Sequence, residues 1–397
     1  MSKRRVLKSA AMTTSPKPVR EGRSAAGSLP ALSWAHFLND GSANFLPGIL
    51  PALLVSMGLP VSLAGTLMGA LLIGQGFQPL TGYLADRIGG RRQMAIALIA
   101  TSLGGMLVGI APGYWPMVAV LAWIGLANAF FHPPGLASAR QLGGSKPGRA
   151  MAYFLVGGEV GRGAWPLLAS AVVTAFGMPW IWLLGLPGVI TSFVLHRFAP
   201  HLEPRPRHHL RIRWRSHLRP MARVVAVSAL RTLMILASVT FLPILWQQRG
   251  ASLVAGAATI TVIQLVGIVG NLGGGQVSDR IGRRPVLLAS MGSAALLLAA
   301  IVLAPDGWWI WPLLALFGIA VFATLPLTVL LAQDVLPENP SMGSGLALGF
   351  ANSLAAVAVM ALGPVAERWG VHAALWVAVA GGVIAWWLAR GLDRKPA

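Results

Sequence analysis

The chain alternates long apolar runs with short polar ones behind a polar N-terminal tail. Each run has roughly 18–25 residues, enough to cross a hydrocarbon layer about 30 Å thick as a helix. Spanning segments must satisfy their own backbone hydrogen bonds, and these runs are too long and too apolar for barrel strands. The pattern predicts an all-α integral membrane protein with twelve transmembrane helices. The predicted spans are 31–55, 62–84, 93–111, 115–137, 150–175, 179–198, 222–246, 253–277, 285–304, 309–332, 344–366 and 371–391.

Positive charge is concentrated in alternate loops, which predicts the orientation of the chain. Of the 31 Lys and Arg residues, 27 lie in 1–30, 86–92, 138–149, 196–223, 279–284 and the C-terminal stretch from 390. The loops on the other side carry only Arg249 and Arg368. Because basic loops resist translocation, we expect both termini in the cytoplasm of a multi-pass protein of the bacterial inner membrane.

Composition excludes several classes of protein. A net charge of +20 suggests nucleic-acid binding, but the charge is spread over short loops, where topology and anionic lipid headgroups explain it. We therefore expect membrane lipids, and no nucleic acid, as partners. The absence of Cys excludes disulfides, thiolate chemistry and Cys-ligated metal.

A ten-residue word occurs twice, at 82–91 and 275–284. The two copies share Gly82, Asp86, Arg87, Gly89 and Arg91 with Gly275, Asp279, Arg280, Gly282 and Arg284, in that order. Each copy closes one predicted span and opens the next on the cytoplasmic side, and six predicted helices separate them. The chain is therefore predicted to hold two parallel six-helix repeats, as some transporters do. The predicted division is a disordered tail 1–30, bundles 31–198 and 222–391, a basic linker 199–221 and a short tail 392–397.

The repeated word, the twelve spans and the long central loop resemble the major facilitator superfamily along nearly the whole chain from about residue 30. The resemblance implies the major facilitator fold, a monomer, and secondary transport by alternating access. It also implies that the Asp and Arg residues of the repeated word form a charge lock on the cytoplasmic side. The alternative is that these charges only set topology.

Shorter words are similar to the fosmidomycin-resistance branch of that superfamily, whose members export drugs in exchange for protons. They are His36 to Asp40, Phe131-His132-Pro133, and the segment from Ala332 to Phe350. The chain departs from the branch at Glu159 and Arg162 in span 5, where uncharged residues are expected. It also has Trp165-Pro166 where related exporters have Gly-Pro.

Ionisable residues within spans indicate function because each is costly in hydrocarbon. His36 and Asp40 are four residues apart, so they share a helix face and can pair or exchange a proton. We predict a proton-coupling role for them; substrate contact and a purely structural hydrogen bond remain alternatives. His132, beside two prolines, is a second candidate proton carrier or a structural group.

Span 5 carries Glu159 and Arg162 three residues apart. They either neutralise each other or take part in coupling and substrate binding. Arg231 in span 7 has no acid nearby in sequence, and we expect it to face His36 and Asp40 across the cavity and hold an anionic substrate group. Structural pairing and an interfacial position are the alternatives. Further candidate substrate-binding residues are Asn39, Gln75, Asn128 and Gln264.

No constellation of an enzyme is apparent, and no Gly-rich nucleotide loop with Lys and Ser or Thr occurs. We expect no metal and no cofactor, with the proton gradient as the energy source. The leading hypothesis is proton-driven export of a small antimicrobial or toxic metabolite. Proton-coupled import of an organic anion or nutrient is the alternative, and a non-transporting sensor or lipid-handling protein is the second.

Overall fold

The computed structural model describes residues 24–78, 80–81, 90–143, 147–198, 214–305, 307–337 and 340–392. Within these ranges the chain forms helices separated by short turns. The helices, with their segments, are α1 (Ser24–Asn44 and Leu46–Ser56), α2 (Ser62–Ile73, then a 3-10 turn Gly74–Phe77), α3 (Gly90–Val108), α4 (Tyr114–Leu142), α5 (Pro147–Phe176), α6 (a 3-10 segment Met178–Gly185, then Leu186–Phe198), α7 (Trp214–Gln248), α8 (Leu253–Ile281), α9 (Arg283–Leu303), α10 (Ile310–Val335), α11 (Pro340–Gly345, a π turn Leu346–Phe350, and Ala351–Trp369) and α12 (Val371–Ala389).

The twelve predicted spans correspond in order to these twelve helices, which confirms the predicted fold class. Eight helices in the described part are long and apolar enough to cross a membrane by themselves. The helix ends differ from the predicted ends, since α1 begins at Ser24 and α7 at Trp214, each before its apolar run. A helix satisfies its own backbone in water as well as in lipid, so hydropathy marks only the apolar part of it.

The two halves, α1–α6 and α7–α12, meet mainly through two pairs of helices, and the second segment of α1 also contacts α7 and α8. Helix α2 packs against α11, and α5 packs against α8. Helices α2 and α8 occupy the same position in the two repeats, as do α5 and α11, so the two contacts are equivalent under the internal repeat. Hydrogen bonds join the halves there: the Ser62 amide donates to Glu367 Oε2 at 3.0 Å, and Thr261 Oγ1 donates to the Gly163 carbonyl at 2.7 Å. Two further bonds, from Asn352 to Gln75 and from Asn271 to Glu159, belong to the site described below.

Small residues let α5 lie directly against α1. A Cβ atom at Gly157 would overlap the Ser33 carbonyl, and one at Gly161 would overlap the Phe37 carbonyl. Helices in lipid lack a hydrophobic force that pulls them together, so close backbone approach at small residues supplies the contact instead. The spacing of these glycines fixes how near the polar residues of α5 come to those of α1.

Helix α1 is interrupted at Phe45, one turn after Asp40. Pro47 follows the break, and a proline has no N–H to continue the helical ladder. The Asn44 side chain donates to the Asp40 carbonyl at 2.8 Å, which satisfies that acceptor next to the break. The backbone that carries Asp40 is therefore held in place although the helix ends close to it.

Replacing Gly161 by Ala should destabilise the protein, because the new methyl group overlaps the Phe37 carbonyl and the two helices must separate. We expect a loss of about 1–3 kcal/mol, typical of overpacking. Thermal unfolding of detergent-purified protein measures this. Gly345→Ala is the matched control, since nothing lies within 4 Å of the place that its methyl group would occupy, and its melting temperature should not fall. Equal effects at both positions would contradict the close α1–α5 contact.

Candidate functional site

His36 and Asp40 of α1 point into the interior of the first half and are fully buried. His36 Nε2 lies 3.3 Å from Asp40 Oδ2, as the spacing of four residues predicts. His36 Nδ1 donates to the Phe154 carbonyl of α5 at 2.7 Å, and its ring stacks on the Phe154 ring. The ring is therefore fixed both by a hydrogen bond and by a flat contact.

His132 of α4 completes a triad with these two residues. Its Nε2 lies 3.3 Å from Asp40 Oδ1 and 3.4 Å from His36 Nε2. Its Nδ1 donates to the Asn128 carbonyl at 3.0 Å. The sequence could not choose between a structural and a proton-carrying role for His132, and the structure places it directly on the Asp40 carboxylate.

When both imidazole rings are neutral, no hydrogen is left to form a hydrogen bond among His36 Nε2, His132 Nε2 and the Asp40 carboxylate. A carbonyl oxygen only accepts, so each Nδ1 must carry its hydrogen toward Phe154 or Asn128. In neutral rings both Nε2 atoms then carry lone pairs, and these face each other and the Asp40 carboxylate. A proton on either Nε2, or on the carboxylate, turns this repulsion into a hydrogen bond. The arrangement is suited to hold one proton and to pass it among three groups.

Arg162 of α5 supplies the positive charge next to Asp40. Its Nε donates to Asp40 Oδ2 at 2.9 Å, while the Arg162 side chain is 33% exposed. The sequence allowed two interpretations of Arg162, one of which was neutralisation of Glu159 on the same helix. Its ion pair in the structure is with Asp40 instead, 122 residues away in sequence.

Asn39 and Asn128 complete the surroundings of the carboxylate. Each side-chain amide donates to Asp40 Oδ1 at 3.2 Å, and both residues are buried. Both were predicted to bind substrate, whereas the structure places them on Asp40. We call His36, Asn39, Asp40, Asn128, His132 and Arg162 the Asp40 cluster.

Gly158 makes the cluster possible. A Cβ atom at this position would overlap the His36 ring and lie 2.9 Å from Asp40 Oδ2. The imidazole therefore occupies the space that any other residue of α5 would fill. This glycine was not among the predicted site residues, although its sequence, Gly157-Gly158-Glu159, places it next to one.

Glu159 points away from the cluster toward the other half. It is 8% exposed, and its Oε1 accepts a hydrogen bond from Asn271 Nδ2 of α8. Gln264, a predicted substrate-binding residue, lies two turns before Asn271 on α8, beside Gly163. Glu159 is thus part of the contact between the halves rather than of the Asp40 cluster.

Arg231 of α7 is buried, but it does not contact Asp40, which differs from the expectation. The direct partner of Asp40 is Arg162, because α5 and not α7 packs against this part of α1. Arg231 Nη2 donates to Thr232 Oγ1 at 3.0 Å, and its buried Nε has no hydrogen-bond partner. Among the described residues it forms no ion pair with a carboxylate.

A chain of polar groups links Arg231 to the first half. Thr232 Oγ1 donates to Asn352 Oδ1 of α11 at 3.1 Å, and Asn352 Nδ2 donates to Gln75 Oε1 of α2 at 3.4 Å. Gln75, a predicted substrate-binding residue, therefore lies where the two halves meet.

The repeated word is described in its second copy. Gly275 lies within α8, Asp279 and Arg280 are exposed in its last turn, and Gly282 turns the chain into α9 with φ +90°. A positive φ favours glycine, which explains this position of the word. In the first copy, Gly82, Asp86, Arg87 and Gly89 lie outside the described residues, and Arg91 stands at the start of α3.

An ion pair beside the second copy of the word was not predicted from the sequence. Arg283 Nη1 donates to Asp334 Oδ2 at the end of α10, so an ion pair joins α9 to α10. Arg284 is part-buried, and its Nε has no partner. Asp334 stands in the segment that resembles the fosmidomycin-resistance branch, but nothing in the sequence paired it with Arg283.

The side chains of His36, Asp40 and His132 are also of types that bind metal ions. One potential ligand atom from each lies within 4.8 Å of the others. A divalent cation there would meet the positive charge of Arg162 on the same carboxylate oxygen. A single proton adds less charge and fits the same three groups. The prediction that no metal binds stays a prediction.

Comparisons with known proteins agree with the architecture. A family model described as the Major Facilitator Superfamily matches residues 32–359. The fosmidomycin resistance protein of Escherichia coli is 26% identical over 390 residues, covering 91% of this chain and 93% of that protein. The uncharacterized MFS-type transporter YfnC of Bacillus subtilis is 27% identical over 354 residues, covering 85% of each. A crystal structure of a bacterial homolog to the human lysosomal transporter Spinster superposes with a TM-score of 0.76 at 16% identity. It covers 96% of this chain and 100% of that one.

A double-mutant cycle on Asp40 and Arg162 should show strong coupling. Arg162→Gln leaves a buried carboxylate with less compensation, and adding Asp40→Asn removes that charge, so the double variant should recover stability. We expect an interaction free energy of about 1–3 kcal/mol in thermal or chemical unfolding. The control cycle, Arg283→Gln with Asp334→Asn, concerns an exposed pair and should give less than about 1 kcal/mol. Additive effects at Asp40 and Arg162 would show that their contact contributes little.

Proposed function

The chain belongs to the major facilitator superfamily, and from that premise we propose that it is a proton-driven exporter of a small anionic antimicrobial or toxic metabolite. Membership in this family of multi-pass membrane transporters gives the coarse function. The energy source, the direction and the substrate are the proposal. We place the protein in the bacterial inner membrane as a monomer, with both termini in the cytoplasm.

The Asp40 cluster is the observation that carries proton coupling. It brings two imidazoles and one carboxylate together inside a membrane helix bundle, with one proton fewer than the groups need. Burial of such groups is costly and is typical of proton relays in transporters. We assign Asp40 and His36 as the coupling groups, with His132 as a third site for the same proton.

Two observations support an anionic substrate and its export. Arg231 is a buried guanidinium with a free Nε and no carboxylate partner among the described residues, and guanidinium binds phosphonate or carboxylate groups in a fork. One relative that aligns with nearly the whole chain is a fosmidomycin resistance protein. Resistance conferred by a membrane transporter is most simply explained by removal of the compound from the cell.

In the proposed cycle the Asp40 cluster receives a proton from outside and releases it into the cytoplasm, while substrate leaves in the opposite direction. Arg231 holds the anionic group of the substrate. The polar chain from Thr232 through Asn352 to Gln75 crosses to the other half beside it, so substrate at Arg231 would contact both halves. In this cycle the cytoplasmic ends of the helices are held together by the Asp and Arg residues of the two repeated words, with Arg283 and Asp334.

Import of an organic anion together with a proton is the second candidate, and the charges of the site favour it on one point. A proton on Asp40 makes the interior more positive and so strengthens binding of an anion near Arg162 and Arg231. Ligands that strengthen each other's binding are suited to travel together. Flux into proteoliposomes under an imposed pH gradient of either sign separates this candidate from exchange, and counterflow of substrate excludes a non-transporting protein.

Expression in an efflux-deficient bacterium tests export and its coupling group. The wild type should raise the inhibitory concentration of at least one anionic compound in a panel that includes fosmidomycin and unrelated anionic and cationic drugs. Asp40→Asn removes the titrating carboxylate and should abolish this resistance at equal expression, while proteoliposomes with this variant retain exchange that no longer responds to pH. Resistance that persists in Asp40→Asn would remove Asp40 from the coupling step.

Substitution of Arg231 tests the charge of the substrate. Arg231→Gln should raise the KM for anionic substrates by about tenfold or more, because a charge-assisted bond is worth about 1.5–3 kcal/mol. The KM of Arg231→Lys should lie between those of the wild type and Arg231→Gln, since lysine keeps the charge but lacks the two-pronged hydrogen bonding of guanidinium. Arg249→Gln, beyond the other end of the same helix, is the control and should leave KM unchanged. Equal KM values for Arg231→Gln and the wild type would place the anion site elsewhere.

A further inference from the structure

We propose that Arg162 transmits the charge state of Asp40 to the contact between the two halves, and that Asn271 is the residue of the second half that responds. Arg162 and Asn271 are then positioning residues for the conformational change. The inference deepens the proposed proton coupling and rests on it, because it assigns the path by which a proton on Asp40 alters the α5–α8 contact.

Arg162 lies between two carboxylates that face different helices. Asp40 of α1 holds its Nε at 2.9 Å, and Glu159 lies three residues earlier on α5, close enough for the two charges to attract. Glu159 itself is occupied by Asn271 of α8. Each carboxylate therefore has its own partners in this structure, and Arg162 is the group that could serve either.

Arg162 and Asn271 approach Glu159 from different sides of α5, so binding of one pulls the carboxylate away from the other. Residues three apart on a helix point in directions about 60° apart. Arg162 points toward α1, and Glu159 toward α8. In the proposed change, the Glu159 side chain turns toward Arg162 to accept it, and its bond to Asn271 is weakened.

Protonation of the Asp40 cluster shifts Arg162 from one carboxylate to the other. The charged groups that face Asp40 are His36 from α1, His132 from α4 and Arg162 from α5. A proton bound here weakens the attraction between Asp40 and Arg162, whether it resides on the carboxylate or is shared with an imidazole. Arg162 is one-third exposed, so it has room to move, and Glu159 then attracts it.

Loss of the Glu159–Asn271 bond weakens the contact between the halves. Helices α5 and α8 are otherwise joined by the bond from Thr261 Oγ1 to the Gly163 carbonyl, one turn further along α5. Asn271 is part-buried, so once it has lost Glu159 its amide has no acceptor there, which further destabilises the packing of α5 against α8. A proton on Asp40 thus favours separation of α5 from α8, although the polar partners of the Asp40 side chain all belong to the first half.

Distance measurements between spin labels test the proposal without any substrate. The chain has no Cys, so Val55→Cys and Leu303→Cys give one label on each half. Both positions are exposed, at the end of the bundle away from the termini. In the doubly labelled protein without further substitutions, the most populated distance between the two labels should be short. Asp40→Asn mimics the protonated state and Asn271→Ala removes the responding amide, and each should shift the main population to longer distances, with no further shift when combined.

Glu159→Gln is the control that separates transmission from loss of structure. The amide keeps an acceptor for Asn271 but no longer attracts Arg162, so Asp40→Asn in the Glu159→Gln background should leave the distance short. An equal shift with and without Glu159→Gln would overturn the proposal, as would an Asn271→Ala variant that only melts at lower temperature with an unchanged distance. Because these readouts need no transport, they can fail while pH-driven export succeeds, or succeed while export fails.

Discussion

The structure depends on one constraint, which is that the Asp40 carboxylate is buried inside a helix bundle that lies in lipid. An isolated charge there costs several kcal/mol, and it persists only with partners arranged around it. Asp40 has partners on α1, α4 and α5, so its burial ties three helices of the first half together. The glycines of α5 and the fixed imidazole rings follow from this requirement, because each donor needs a specific position and the rings need space.

The fold could be predicted from the sequence because its signals are local and repeated. Apolar length defines each helix, loop charge favours one orientation, and the repeated word with Asp86 and Asp279 divides the chain into halves. One pair of the site was also within reach, because His36 and Asp40 share a helix face by spacing alone. Glu159, Arg231 and His132 were found by the general cost of charge in hydrocarbon, without knowledge of their partners.

The partners themselves could not be predicted, because they depend on which helices pack together. Arg162 is three residues from Glu159 and 122 from Asp40, and the nearer acid was the natural partner in sequence. The face of α5 that meets α1 decides otherwise. Asn128 and Asn271 show the same limit, since amides in a span are typical helix contacts, and only packing reveals that one serves Asp40 and the other Glu159. Arg283 and Asp334 form an ion pair because the start of α9 lies next to the end of α10.

Arg162 decides how the charge of Asp40 is balanced, because it is the cation that faces the carboxylate from α5. Without a guanidinium at this position, Asp40 would face only two imidazoles and two amides, and charge on the carboxylate would have to be balanced by protonation of a ring. With Arg162 present, the carboxylate is neutralised even when both rings are neutral. The cluster can therefore lose its proton without leaving an uncompensated charge in the bundle. In the proposed coupling, Arg162 is released when a proton binds, and Glu159, one turn away on α5, accepts it.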